Sequence, residues 1–166
     1  MAYFPDLSAY KYASTEGSVP TRNIGWLERG ASFPVAEPTN ELLDRLWRYC
    51  SLSVLPTRGL HPCPFCERVG IVAEREGSKV LLGSAEIRIF DGAGTVAYAA
   101  PNLVYHYVAV HHYLPPAEFL EAIESGPLPP APGYQEMLKR AQVTWIVTPP
   151  CDEEPIAFRP GHPPRR

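Results

Sequence analysis

Apolar residues follow a helical period early in the chain. Between Glu41 and about Ser51, charged residues fill one face and the other face is apolar, formed by Leu42, Leu43, Leu46, Trp47 and Cys50. Thr39 or Asn40 precedes this segment, and either side chain accepts hydrogen bonds from the free N–H groups of a first helical turn. We therefore predict a helix packed on a core, with Cys50 as a small buried residue.

The hydrophobic period changes to two between residues 69 and 99. Glycine-rich turns separate four strand-like segments, which are Val69–Glu74, Lys79–Leu82, Glu86–Phe90 and Thr95–Ala99. In the third segment Ile87 and Ile89 alternate with Glu86 and Arg88, which is typical of an antiparallel sheet with one face in water. The pattern predicts an antiparallel β-meander of three to four strands.

The remaining segments predict short helices and extended pieces. A helix is expected to begin at residues 100–102 and to end before Leu114-Pro115-Pro116, because proline cannot continue it. Two more helices are predicted at Ala117–Ser125 and Tyr134–Gln142. Extended pieces are predicted as an arm over residues 1–22, a short strand over 23–27 and an edge strand over 143–147. The fold class is therefore α+β, with three to four short helices.

Composition limits the domain organisation. The chain has 166 residues, of which 45% are apolar, and its 20 prolines exceed twice the usual share of about 5%. This length suits one domain with its own core and many proline-rich loops. We predict a single domain over residues 1–148 and a disordered tail over residues 149–166, which hold six prolines.

Charge and hydropathy narrow the classes of partner. The net charge is −3 and no run of Lys and Arg exceeds two residues, so nucleic acid and anionic membranes are not expected partners. The N-terminus lacks a signal-peptide pattern, and no segment approaches the ~20 apolar residues of a membrane span. We expect a cytoplasmic protein. Four cysteines in a reducing compartment do not indicate disulfides.

One short segment, His61-Pro62-Cys63-Pro64-Phe65-Cys66, holds two thiols separated by two residues, and an imidazole precedes them. Cys63 and Cys66 followed by His106 and His111 give a Cys-x₂-Cys pair and a His-x₄-His pair, which fall within the spacings of Cys₂His₂ zinc sites. We therefore predict a Zn²⁺ site on these four side chains. The 39 residues between the two pairs are more than a classical zinc finger has between its ligand pairs. They suit a treble-clef-like arrangement, in which the sheet lies within the segment that joins the two pairs of ligands.

Other interpretations of these residues remain open. His61 or His112 could replace one of the four ligands. The histidines could instead cap carbonyl groups at a helix end, and the cysteines could simply be buried. Because His106 and His111 lie about 140° apart on an ideal helix, they share an ion only if the helix loosens or ends near His111.

The segment from Cys63 to Val69 resembles the active-site run of glutaredoxins, in which the first thiol lies at a helix N-terminus. That resemblance implies thiol–disulfide exchange. The flanking segments differ from the family, since residues 69–72 favour a strand over a helix. The zinc deaminase signature is half present in Pro62–Cys66, but no histidine precedes His61.

Four longer blocks are similar, in this order, to an uncharacterised bacterial protein family. The blocks are NIGWL at 23–27, TRGLHPCPFC at 57–66, GSAEIR at 83–88 and AAPNLVYHYVAVH at 99–111. The similarity extends from residue 1 to about 124. It implies that the glutaredoxin-like run is accidental and that His61, Cys63, Cys66, His106 and His111 belong to one arrangement. It implies no activity.

Three classes of function follow from the sequence. The first is a binding or regulatory module with structural zinc and an unknown protein or small-molecule partner, because the four ligands fill the coordination sphere. The second is a thiol–disulfide oxidoreductase that uses Cys63 and Cys66. The third is a zinc-dependent hydrolase, in which one ligand is replaced by water and Glu67 or Glu86 acts as base.

Overall fold

The structure is a computed structural model that describes residues 3–11, 19–75 and 77–143. Within these residues the chain forms five strands and four helices. In chain order they are β1 (Thr21–Asn23), α1 (Asn40–Cys50), β2 (Ile71–Arg75), β3 (Ser78–Leu82), β4 (Glu86–Phe90), β5 (Ala97–Pro101), α2 (Val104–His111), α3 (Ala117–Ser125) and α4 (Pro132–Arg140). The α+β class predicted from the sequence is confirmed.

The strands form two small sheets. β2 and β3 pair as an antiparallel hairpin, whereas β4 and β5 form a second hairpin to which β1 adds in parallel, giving the order β1-β5-β4. The four strands are thus two hairpins and not one continuous meander. The reason is that the loop after β3 pairs elsewhere: the carbonyl oxygens of Gly83 and Ser84 accept the N–H groups of His61 (2.8 Å) and Thr57 (2.7 Å).

The prediction that β4 has one face in water was wrong. Glu86 and Arg88 are each only 2% exposed. Arg88 Nη1 donates to Glu86 Oε2 at 2.6 Å, and the Tyr10 hydroxyl donates to the same carboxylate at 3.0 Å. Tyr10 comes from the N-terminal arm, whose residues 4 and 9 form antiparallel bridges with Trp26 and Arg22. The arm therefore covers the face that the alternation assigned to solvent.

Local sequence signals predicted the helices well. In α1 the hydroxyl of Thr39 accepts the N–H of Leu42 at 3.1 Å, and Cys50 is fully buried as predicted. α3 has the predicted bounds, and α4 begins two residues before the prediction because Pro132 occupies its first turn.

The predicted start of α2 at residues 100–102 was wrong. Ala100 and Pro101 end β5, where they pair with Ile87 and Glu86. A residue before proline avoids the helical region, so the chain stays extended until Pro101. The predicted edge strand after Val143, the domain boundary at 148 and the tail over 149–166 lie outside the described residues.

α2 lies at the centre of the core. Its residues from Val104 to Val108 are buried, and α1 packs against α2, α3 and β4. The rings of Trp47 on α1 and Tyr105 on α2 meet edge to face with centroids 5.4 Å apart. This packing fixes α2, which carries two of the proposed metal ligands.

Candidate metal centre

The segment from Cys63 to Arg68 folds into a tight knuckle. The N–H of Glu67 donates to the carbonyl of Cys63 at 2.9 Å, and the N–H of Cys63 donates to the carbonyl of Arg68 at 2.9 Å. Glu67 has a φ of 56°, in the left-handed region, which closes the turn. The N–H groups of Cys66 and Phe65 point at the Cys63 sulfur. Both thiols therefore project from a preorganised turn.

A loop and an asparagine anchor this knuckle to the sheet. Asn102 accepts the N–H of Gly83 at 2.7 Å through its Oδ1 atom, and its Nδ2 group donates to the carbonyl of Leu81 at 3.3 Å. Gly83 has a φ of +96°, and a Cβ atom placed on it would lie 2.7 Å from the carbonyl oxygen of His61. Only glycine allows the loop to approach the backbone of His61, two residues before the knuckle, so closely.

The last turn of α2 is wider than an α-helical turn. The N–H groups of His112 and Tyr113 both donate to the carbonyl of Tyr107, five and six residues earlier. A bond from residue i+5 to residue i defines a π-type turn, a feature found often at functional sites. The widening rotates His111 back towards the face that carries His106. The sequence set a condition for His106 and His111 to share an ion, that the helix loosens or ends near His111, and this condition is met.

Four donor atoms come together between the knuckle and α2. Cys63 Sγ lies 3.3 Å from His111 Nε2, Cys66 Sγ lies 3.3 Å from His106 Nε2, and the two Nε2 atoms are 3.2 Å apart. All four donors lie within 4.8 Å of one another. Zinc bond lengths of about 2.3 Å to sulfur and about 2.0–2.1 Å to nitrogen imply tetrahedral edges of about 3.3 Å for N···N and about 3.6 Å for N···S. The cluster therefore has the size of a tetrahedral metal site.

A family model describing a domain of unknown function, DUF7919, matches residues 2–124. The chain belongs to the DUF7919 family. The match includes the knuckle and α2, so both halves of the donor cluster lie in the family domain, which is uncharacterised as the sequence predicted. No curated protein and no solved structure matches the chain. Among the described residues, no helix is long and apolar enough to cross a membrane.

Aromatic rings enclose the donor cluster of this DUF7919 domain on one side. The ring of Phe65, which lies between the two cysteines, has its centroid 5.1 Å from those of Phe33 and His111 and 5.6 Å from that of Tyr107. Cys63 is fully buried and His106 is 4% exposed, whereas Cys66 and His111 are partly exposed. The site is therefore buried on the Cys63 and His106 side and reaches the surface on the other.

The site favours neutral imidazole donors. Burial, together with the neighbouring His111 ring and Arg68, lowers the pKa of His106 to about 4. Burial also lowers the pKa of His111, helped by His112. Both rings thus keep a free lone pair at neutral pH, which a metal ion requires. Burial raises the pKa of the Cys63 thiol, while the two N–H groups that face its sulfur oppose the rise.

The structure separates His61 and His112 from the four clustered donors. His112 has a φ of 55° and its Nδ1 atom lies 3.0 Å from Glu37 Oε2, on the outer surface. His61 is held through its backbone N–H by Gly83, and its ring is not one of the four clustered donors. The residues brought together are the predicted Cys63, Cys66, His106 and His111.

The proposed bases for hydrolysis are engaged elsewhere. The carboxylate of Glu67 pairs with Arg29 on the surface, and both side chains are 70% exposed. Glu86 is the buried partner of Arg88. Neither carboxylate belongs to the donor cluster, so the structure does not place either of the two proposed bases among the four donor atoms.

The glutaredoxin-like prediction also fails on local structure. Residues 64–66 form a turn and residues 67–70 are irregular, so the chain enters β2 where a glutaredoxin would have its helix. No helix dipole therefore lowers the first thiol's pKa, and burial raises the pKa of Cys63 instead. The local resemblance is confined to residue types.

Sequence reasoning missed three residues that shape the site. Asn102 was assigned to a helix start, but its side chain binds the loop after β3. The rings of Phe65 and Tyr107 pack edge to face beside the site. Asn102 and Tyr107 lie inside the AAPNLVYHYVAVH block, and Phe65 lies inside the TRGLHPCPFC block. The resemblance of these blocks to a family was the available signal for all three residues.

Proposed function

We propose that the DUF7919 domain binds one Zn²⁺ ion through Cys63, Cys66, His106 and His111, and that the ion is structural. The observation that carries this proposal is the set of 3.2–3.3 Å separations among the four donor atoms. Two sulfur and two imidazole donors suit zinc, and iron is the main rival. Four protein donors complete a tetrahedral sphere and leave no position for a reactive water.

A zinc ion at this site would join distant parts of the chain. The paired donors are 48 and 40 residues apart, and both hairpins lie between them. The order of knuckle, hairpin and helix supports the treble-clef-like arrangement, with the β4–β5 hairpin as an addition. Because the unfolded chain has no preformed site, zinc binding would contribute to the free energy of folding.

Elemental analysis of the full chain tests the zinc proposal. After chelator-free purification we expect about one zinc per chain, and we expect the Cys63 and Cys66 thiols to react with a thiol reagent only after a chelator removes the ion. An absence of stoichiometric metal would refute the site, whereas stoichiometric iron would refute the choice of metal. Free, fast-reacting thiols without metal would favour the oxidoreductase alternative.

We further propose that the domain is a binding or regulatory module of a reducing compartment such as the cytoplasm, because the site requires reduced thiols. A groove of about 230 Å³ between α1, α3 and residues 36–39 is the place we propose for a partner. Its apolar lining comes from Leu42, Val108, Tyr113, Leu114, Leu120 and Ile123. The volume is below the roughly 300–1,000 Å³ of pockets for drug-sized ligands and suits one large side chain.

The charges at the groove favour a basic partner. Glu37, Glu41 and Glu124 line it with exposed carboxylates. The guanidinium of Arg45, in contrast, donates to the carbonyl oxygens of Ile123 (2.8 Å) and Glu124 (2.7 Å). The apolar lining and the acidic residues of the groove together complement an apolar side chain that has a positively charged neighbour. We therefore propose a protein partner that presents a segment with these two side chains.

Two matched peptides test this partner chemistry. In NMR titrations of the full chain at millimolar peptide, N-acetyl-Leu-Arg-amide should shift resonances of the groove residues, and N-acetyl-Leu-Glu-amide should not. Glu41→Gln should weaken binding of the basic peptide, while Glu136→Gln, an exposed change on α4, should leave it unchanged. Equal shifts with both peptides, or none with either, would refute the proposed partner.

A further inference from the structure

A short segment, residues 33–37, pairs with the chain that leaves α2. The carbonyl of Pro34 accepts the N–H of Leu114 at 2.8 Å. The N–H of Ala36 donates to the carbonyl of His112 at 2.9 Å. His112 directly follows the last proposed ligand on α2, so the segment is tied to the end of the metal centre.

The same segment also forms part of the groove wall. Ala36 and Glu37 line the groove, and so does Tyr113 from the chain that follows α2. The Glu37 carboxylate lies 3.0 Å from Nδ1 of His112. α2 itself reaches the groove through Val108, which lies between the two histidine ligands in the sequence. The groove and the metal centre thus share the end of α2.

The ring of Phe33, at the start of this segment, contacts both sites. It packs edge to face on Phe65 of the knuckle, with centroids 5.1 Å apart, and on Tyr113 of the groove, with centroids 5.6 Å apart. Phe33 itself is neither one of the four clustered donors nor one of the residues that line the groove. It is only partly buried, so a smaller apolar side chain should not prevent folding. The ring therefore links the knuckle to the groove wall without belonging to either site.

We propose that zinc binding and binding of the basic partner are coupled, and that the Phe33 ring transmits the coupling between the knuckle and Tyr113. This inference rests on the zinc site and the groove proposed above. A bound ion would hold the knuckle and the end of α2 in one arrangement, and their contacts with residues 33–37 would hold the groove wall. Binding to a preordered wall costs less free energy than binding to a wall that the partner must order. Zinc should therefore raise the affinity for the partner, and by linkage the partner should raise the affinity for zinc by the same factor.

Titration of the full chain with N-acetyl-Leu-Arg-amide, with and without zinc, measures this coupling. Coupling between two sites typically changes affinity by about 5–150-fold, so the dissociation constant of the peptide should be at least about 5-fold lower in the zinc-loaded protein. Competition with a chromophoric chelator should give the same factor for zinc when the peptide is saturating. N-acetyl-Leu-Glu-amide should leave zinc affinity unchanged.

Phe33→Leu tests the route of the coupling, and Phe4→Leu is its matched control. Phe33→Leu should still bind one zinc and the peptide, but its coupling factor should fall to about 1, because the ring contacts with Phe65 and Tyr113 are lost. Phe4, in the N-terminal arm, is also partly buried and packs edge to face on Trp26, with centroids 5.7 Å apart. Phe4→Leu should keep the wild-type factor. An equal fall in both variants would overturn the role of Phe33.

Cobalt substitution gives a readout that does not depend on a folded metal-free protein. Saturation with N-acetyl-Leu-Arg-amide should shift the sulfur-to-cobalt charge-transfer band of the wild type and of Phe4→Leu, but not that of Phe33→Leu. A band that the peptide does not move in the wild type, or equal peptide affinities with and without zinc in a folded chain, would overturn the coupling and leave both sites intact. A chain that binds no zinc, or no peptide, would overturn the coupling together with the proposal for that site.

Discussion

His106 and His111 hold their Nε2 atoms 3.2 Å apart, although five positions separate the two residues. On a regular α-helix that spacing turns the side chains about 140° away from each other. The wide turn formed by the bonds from His112 and Tyr113 to the carbonyl of Tyr107 removes much of this difference. The His-x₄-His spacing therefore works because the helix ends in a π-type turn.

Loss of one sulfur ligand should disable the metal site. Cys66→Ser should weaken zinc binding by more than about 100-fold, beyond the effect of losing an outer-sphere partner. In excess zinc a 100-fold loss removes about 2.7 kcal/mol, which lowers the melting temperature by roughly 5–11 °C. Calorimetry with metal analysis checks both values. Cys50→Ala, in the core away from the cluster, should lower stability yet keep one zinc per chain.

The adjacent histidines on α2 provide a second test. His111→Ala removes a clustered donor and should abolish stoichiometric zinc binding, whereas His112→Ala removes a side chain that contacts Glu37 and should be nearly neutral. His61→Ala should also retain the metal, since its ring is outside the donor cluster. If His61→Ala loses zinc while His111→Ala keeps it, the assignment of the fourth ligand is wrong.

The loop that supports the knuckle is sensitive to one added methyl group. Gly83→Ala would place a Cβ atom 2.7 Å from the carbonyl oxygen of His61 at a φ of +96°, so it should destabilise the fold and loosen zinc binding. Gly30 has a φ of +88° with open space around it, so Gly30→Ala carries only the backbone cost of about 1–2 kcal/mol. Denaturant unfolding of both variants isolates the clash. Equal losses of stability in the two variants would show that the loop moves enough to accommodate the added Cβ atom without a clash.

Stability of the metal-free protein should depend on pH through His106. The pKa of this imidazole is about 4 in the folded protein and 6.5 in a solvated chain. Between these values the unfolded state binds more protons, so stability is present above pH 6.5 and falls as the pH drops towards 4. The slope from this group is at most about 1.4 kcal/mol per pH unit. Urea titrations at several pH values should show a shallower slope in metal-free His106→Gln.

Local sequence signals predicted those elements whose causes are local. α3 was predicted at its bounds because Pro116 and Gly126 flank a clear apolar period. β5 ends two residues beyond the predicted strand because Ala100 and Pro101 pair with Ile87 and Glu86 of β4. Its parallel pairing with β1 has no local sequence signal, since it joins residues 76 positions apart, as Thr21 and Ala97 are. Burial of Glu86 and Arg88 depends on Tyr10, a contact that no local pattern contains.

The site followed the same rule. Ligand chemistry and spacing were enough to propose Cys63, Cys66, His106 and His111 as one cluster, with His61 and His112 as alternatives, and the structure brings the donor atoms of these four residues together. The supporting residues were not predictable in this way. Asn102 and Tyr107 act through contacts with Gly83 and Phe65 that arise only after the hairpins fold.

The separation of the metal donors along the chain has a kinetic consequence. Contacts that span 40 and 48 residues close a large loop, and the two hairpins inside it form from neighbouring residues. An ion bound to these four donors would therefore meet all of them only after most of the polypeptide has collapsed, late on the folding route. Interactions absent from the transition state slow unfolding without accelerating folding. Bound zinc would act chiefly by slowing unfolding, which lengthens the lifetime of the native state.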